Sequence, residues 1–271
     1  LYGLCLSSGG LGAIVATKPL YFIVDEIGWR SAFFILALLC FLISFIILIV
    51  TPENETTEEE QNVLFALKEI YSSKLFWKIA PLAGISGGTA LAIQGLWAGE
   101  WLRDVARLTQ NDATNMLLIL NISLLIGMIT TGFIPNILKR FKVSQIDIFL
   151  FITLILLLGH SLLTFEIMPV SPIPWILLGI SANGAILAYS WLNTQFPISY
   201  AGKVSTALNL SLFLCGFILQ YAIGWIISLW DRNTDNTYPA ISYSVSFGVL
   251  FILQIICIII FFSLRSKSNS E

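Results

Sequence analysis

The chain is poor in charge. Lysine, arginine, aspartate and glutamate together make up 11% of its 271 residues, against about a quarter in an ordinary soluble domain. So few charges cannot solvate a folded surface in water, which excludes a soluble globular protein and calls for lipid as solvent. The charges nearly cancel, leaving −2. No basic run dominates, so no nucleic-acid partner is expected. Histidine occurs once, at His160, and the four cysteines are Cys5, Cys40, Cys215 and Cys257. All five lie in apolar stretches, and none pairs with another at metal-ligand spacing. The cysteines read as small apolar packing residues, and no metal or other cofactor is expected. A phosphate-cradling glycine loop, paired intramembrane carboxylates and a serine–base pair within a span are all missing. That argues against an intramembrane enzyme, and there is no room for the soluble nucleotide-binding domain of an ATP-driven pump.

Long apolar runs fill the chain instead, and hydrophobic residues make up 57% of it. Crossing a bilayer takes about 20 such residues in a helix. Eight stretches qualify, at about 3–24, 31–50, 78–99, 113–135, 145–165, 174–195, 204–229 and 241–264. The expected fold is an all-α, polytopic helical membrane bundle. The chain opens on Leu1 with no basic lead-in and no cleavage-like site, so it is expected to be N-terminally truncated.

One connection is long. Residues 51–77 begin Thr-Pro-Glu-Asn-Glu-Thr-Thr-Glu-Glu-Glu, and Pro52 cannot continue a helix. Leu64, Leu67, Tyr71 and Leu75 then recur at helical spacing, which predicts a short amphipathic helix on the membrane surface or an ordinary connecting helix. This linker divides the spans into two and six. Residues 1–50 are expected to be the last two helices of an N-terminal half, 51–77 an acidic linker, 78–264 a six-helix C-terminal half and 265–271 a tail.

Basic residues orient the bundle. Lys68, Lys74, Lys78, Lys139, Arg140, Lys142, Lys203, Arg265 and Lys267 fall on the linker side, and Arg30, Arg103, Arg107 and Arg232 on the other. Nine against four puts the linker and the C-terminus in the cytoplasm.

Polar residues within a span are costly in lipid and mark cavities or helix contacts. Lys18, followed by Pro19, lies within the first span and needs a carboxylate, a carbonyl dipole, water or an anionic solute as partner. It could equally snorkel to the headgroups. The third span carries Gly84, Gly87, Gly88, Thr89, Gln94, Gly95 and Trp97, a composition for close helix approach or local unwinding. Asn183 and Tyr189 stand about two turns apart on the sixth span, with Asn193 and Gln195 beyond. Asn209 and Gln220 are on the seventh, and Asn121 and Ser123 on the fourth. Each amide alone reads most simply as an interhelical hydrogen bond. As a set they make a polar, uncharged cavity. Glu100-Trp101-Leu102-Arg103-Asp104 reads as a solvated interface cluster with Trp101 in the headgroup zone, or as a gate salt bridge. His160 reads as a helix-packing residue.

Several segments resemble the major facilitator superfamily. Gly9-Gly10-Leu11-Gly12 with Pro19, then Gly28-Trp29-Arg30-Ser31-Ala32-Phe33-Phe34, look like that family's fifth and sixth helices. Residues Gln94–Gly99 with Trp101–Val105 look like its seventh, and Gly202–Asn209 like the start of its eleventh. Two positions depart from the pattern. Pro19 follows Lys18 where a Gly-Pro pair is usual, and Asn136 stands where the loop after the eighth helix usually has an acid. The resemblance implies spans five to twelve of a secondary transporter moving a small solute by alternating access. A coupling ion, proton or sodium, would be expected, and the short loops point to a bacterial inner membrane. The expected solute contacts are Lys18, Gln94, Asn183, Tyr189 and Asn209, with Lys18 pointing to an anionic solute. The competing reading is a non-transporting membrane sensor or a decayed or split transporter fragment.

Overall fold

The structure, a computed structural model, describes residues 12, 14–50 and 63–268. Helix α1 is Lys18–Ile27, α2 Trp29–Val50, α3 Val63–Ser72 and α4 Lys74–Ala92. A π-helical turn, Ile93–Trp97, joins α4 to α5, Ala98–Asp104. Then follow α6 (Gln110–Leu138), α7 (Gln145–Thr164), α8 (Ile173–Ser181), α9 (Ala185–Asn193), α10 (Ala201–Ile227) and α11 (Ala240–Ser268). No strand occurs among the described residues.

Seven helices or helix pairs are long and apolar enough to cross a membrane: α2, α4 through α5, α6, α7, α8 through α9, Ile198–Ile227 and Ala240–Ser263. The sequence predicts eight. Of the expected first span, 3–24, residues 3–11 and 13 lie outside the described residues, and its later part enters the short α1. The chain turns at Ala16–Thr17, where Thr17 Oγ1 donates to the Ile14 carbonyl. Pro19 then fits the first turn of α1, where no backbone donor is needed. Gly28 separates α1 from α2 with φ +79, a backbone state that a side chain would strain. The acidic run after Val50 lies outside the described residues.

Polar caps set the starts of two spans on the linker side. Ser73 Oγ accepts from the Leu75 N–H, and Ser144 Oγ from the Ile146 N–H. Each satisfies one of the orphan donors that a helix N-terminus leaves.

The core of the six-span body has two apolar levels. One, toward the linker side, includes Phe76, Ile79, Phe149, Leu187, Val204, Leu208 and Phe261. The other, toward the far side, includes Leu102, Trp101, Leu163, Trp175, Ile223, Tyr243 and Phe247. Between them three helices change character. On α4 the intervening stretch is Gly84–Thr89, on α8 it holds Gly179 and Ser181, and on α11 it holds Gln254. A belt of small and polar residues therefore lies between the two apolar levels.

That belt is where helices come closest. A Cβ on Gly88 of α4 would stand 2.8 Å from the Gly216 amide nitrogen of α10, so only glycine lets these backbones meet. Cys215 fills the adjacent space, its sulfur 3.2 Å from a Cβ built on Gly84.

Helix α3 forms where the leucine spacing predicts a helix. Its buried residues are Ala66 and Ile70, while Leu64 and Leu75 are exposed and Leu67 and Tyr71 half-buried. The helix docks on the linker-side core, and Tyr200 Oη donates to Glu69 Oε2 at 2.9 Å. The small Ala66 permits closer approach to α10 than a leucine would.

Candidate functional site

The π-helical turn replaces one α-helical hydrogen bond by a wider one, from the Ala98 N–H to the Ile93 carbonyl. Such turns leave backbone groups free to meet side chains and recur at functional sites. Here Gln94 Nε2 donates to Asn121 Oδ1 of α6 at 3.1 Å, and Asn121 Nδ2 donates to the Leu117 carbonyl at 2.8 Å. Trp97 Nε1 donates to the Gln220 carbonyl of α10 at 3.0 Å. A Cβ on Gly95 would lie 3.5 Å from Gln220 Nε2. The turn thus carries two polar pairs, Gln94 with Asn121 of α6 and Trp97 with the Gln220 carbonyl of α10. Each residue is legible as polar or aromatic within a span, and the pairing is not.

A second interruption faces the first. Residues 182–184 form a turn between α8 and α9, closed by short bonds from Gly184 N–H to the Ser181 carbonyl and from Ile186 N–H to the Asn183 carbonyl. Ser181 Oγ also bonds back to the Leu177 carbonyl at 2.5 Å, a contact that bends helices. A void of about 10 Å³ borders both Gln94 and Ala182, so the two interruptions meet across Leu120 of α6. Asn183 Nδ2 is buried and has no partner among the described residues. Asn183 lies in the turn itself, while Tyr189 stands on the regular α9.

Depth separates the five expected contacts. Gln94 and Asn183 each lie about 15 Å from the far-side end of their spans at 1.5 Å per residue. Lys18 meets α6 nearer the far side, at Asn115, about 8 Å from the start of that helix at the same rise. Its Nζ donates to Asn115 Oδ1 of α6 at 3.0 Å. Asn115 is one polar residue among several at the start of α6 and carries no signal in sequence. Tyr189 and Asn209 pair nearer the linker side, Tyr189 Oη donating to Asn209 Oδ1 at 2.9 Å. Beside them Asn193 Nδ2 donates to Ser205 Oγ at 2.8 Å. The structure therefore brings Tyr189 to Asn209, gives Gln94 and Lys18 partners on α6, and does not join the five into one cluster.

The far-side end of the third span departs from its expected solvation. Asp104 is 1% exposed. Its carboxylate accepts from Arg103 Nε at 3.0 Å, Tyr243 Oη at 2.9 Å and the Tyr238 N–H at 3.0 Å. Burial of a carboxylate is tolerated because three donors replace water. Arg103 also pairs with exposed Glu100. Trp101 is 1% exposed and meets Trp175 edge-on with centroids 5.5 Å apart, so it is a core residue and not a headgroup anchor. Next to it Arg107 bonds Asp235 Oδ2 at 2.6 Å and Thr237 Oγ1 at 3.0 Å. The Thr237 hydroxyl and N–H both donate to Asp235. These bonds, with Arg107 beside them, hold the Asp235 carboxyl below its ordinary value. The cluster clasps the turn before α11 to the end of α5.

His160 is buried, with Nδ1 3.1 Å from Gln254 Oε1 and its ring edge-on to Phe247 and Phe251. It packs α7 on α11, as its apolar setting implies. Among the described residues no three histidine, cysteine, aspartate or glutamate side chains are placed to hold a metal.

A search of curated proteins returns no match. The family model of the Major Facilitator Superfamily matches residues 1–220, from the first residues through most of α10. With an all-helical bundle and seven membrane-length helices, the chain belongs to the major facilitator superfamily of membrane transporters.

Proposed function

We propose that the protein moves a small solute by alternating access between two helical halves. The six spans from Lys74 onward form one half, and Lys18–Val50 belongs to the other. The facing interruptions at Ile93–Trp97 and 182–184 carry the reading. Broken helices place free backbone groups and amides beside a cavity, and transporters of this kind bind their solutes at such breaks near mid-membrane. Gln94 and Asn183 share that depth, Lys18 stands toward the far side of them, and the three are the first contacts. Tyr189 and Asn209 form a second station toward the linker side.

Lys18 favours an anionic solute or a solute carboxylate. Its ammonium stands in the first turn of α1, where the helix dipole is already positive. Its partner, the Asn115 oxygen, is neutral. A proton or sodium ion is the expected coupling ion. The excess of basic residues on the linker side supports a cytoplasmic linker and C-terminus, and the short loops support a bacterial inner membrane.

The experiment is a thermal-shift screen of the intact protein against metabolites, followed by uptake of the hits in proteoliposomes. Lys18→Ala, Gln94→Ala and Tyr189→Phe should each weaken uptake about tenfold, the loss of one net polar contact of about 1.4 kcal/mol. Unchanged uptake and affinity in all three would reject these contacts. Binding without uptake would favour a sensor.

A further inference from the structure

Helices α6 and α7 both pack on α8 but hardly touch one another. The space between them is a groove of about 340 Å³, within the size range of small-molecule sites. Ile134 and Leu138 of α6, Val143, Ile152 of α7 and Ile180 of α8 line it, with Asp147 also on its wall. Its hydroxyls add little polarity. Thr130 Oγ1 donates to the Ile126 carbonyl at 2.8 Å and Ser181 Oγ to the Leu177 carbonyl at 2.5 Å. The exposed side chains beside it, Phe133, Phe151 and Leu154, are apolar and suit a lipid-facing surface.

The linker-side end of this groove is charged. Leu138 and Val143 both line it, and the four residues between them are Lys139, Arg140, Phe141 and Lys142. Arg140 and Lys142 are exposed. Asp147, in the first turn of α7, is already engaged by a neighbouring group. With Asp147 engaged, Arg140 and Lys142 leave the end of the groove positive. Basic pockets between membrane helices on the leaflet that carries anionic lipid bind phosphate headgroups.

We infer that this groove holds an anionic phospholipid, one acyl chain lying between α6 and α7 and the phosphate on Arg140 and Lys142. The apolar wall takes the chain through the hydrophobic effect. The basic turn supplies charge-assisted bonds to the phosphate. The site is distinct from the proposed solute path, because neither Gln94 nor Asn183 lines the groove.

The test uses the intact protein, delipidated in detergent and offered dioleoyl phosphatidylglycerol and dioleoyl phosphatidylcholine in equal amounts. Native mass spectrometry reads the retained lipid. Wild type should keep phosphatidylglycerol over phosphatidylcholine by about tenfold. Arg140→Gln with Lys142→Gln should bring that ratio to about one. Ile134→Phe, a modest filling of the groove, should lower retention of both lipids while the melting temperature stays near wild type. Equal retention of the two lipids by wild type would overturn the inference, as would variants that behave like wild type. Displacement of phosphatidylglycerol by inorganic phosphate alone would also overturn it, since that would make the site a phosphate site without a chain.

Discussion

Gln94 on the π-helical turn donates its side-chain amide to Asn121 Oδ1 of α6 across 3.1 Å. The bond ties an irregular part of the third span to a regular helix, and Asn121 is itself anchored to its own helix at the Leu117 carbonyl. Gln94 is therefore held in one orientation beside the break at 182–184. Removing either partner should change solute affinity by similar amounts. The double variant Gln94→Ala with Asn121→Ala should cost less than the sum, since both delete one contact. A double-mutant cycle on the uptake constant measures this, and strict additivity would show that the two residues act separately.

The buried carboxylate of Asp104 makes a stability prediction. Asp104→Ala leaves the Tyr243 hydroxyl and the Tyr238 N–H without their acceptor and should destabilise by about 3–5 kcal/mol. Tyr243→Phe removes one charge-assisted bond and should cost about 1.5–3 kcal/mol. Glu100→Gln, at an exposed pair, should cost less than about 1 kcal/mol. Thermal unfolding in detergent gives the order, and an effect of Glu100→Gln as large as that of Asp104→Ala would contradict it.

Close approach of α4 and α10 predicts a contrast between two glycines. Gly88→Ala drives a methyl into the Gly216 backbone and should destabilise by about 1–3 kcal/mol. Gly132 has open space where its Cβ would stand, so Gly132→Ala should be neutral or stabilise by up to about 1 kcal/mol through helix propensity. Melting temperatures of the two variants decide it.

The far-side clasp has a pH dependence with a definite sign. Thr237, and after it Arg107, holds the Asp235 carboxyl below its ordinary value of 3.8. A depressed folded pKa contributes stability above the unfolded value, and that contribution disappears as pH falls through the folded one. Protection of the Thr237 amide from hydrogen exchange should therefore hold above about pH 4 and fall only at lower pH. Thr237→Val should move that loss to higher pH.

Much of the fold is legible in the sequence, because membrane helices must be long and apolar and their loops short. The spans that end at Val50 and run from Gln145 to Thr164 are read almost to the residue. Apolar length does not reveal which residues turn inward. Trp101 and Asp104 look like interface residues because aromatic and charged groups favour the headgroup zone, yet Trp175 and Tyr243, distant in sequence, draw them into the core. Likewise Asn183 reads as one more residue of a continuous span, yet it lies in a turn. The turn at 182–184 depends on how Gly179 and Gly184 pack against α6 and α7, which no local pattern encodes. Gln94 stands out as an amide inside a span, but its partner lies 27 residues away on another helix.

Alternating access requires that the mid-depth break be reached from both faces of the membrane. The direct measurement is labelling of Asn183→Cys by a membrane-impermeant thiol reagent, in a protein whose Cys5, Cys40, Cys215 and Cys257 are replaced by serine and whose uptake is retained. Applied to inside-out and right-side-out vesicles, the reagent should modify residue 183 from each side, and a transported solute should slow both reactions. Labelling from one side alone, unchanged by solute, would contradict the account.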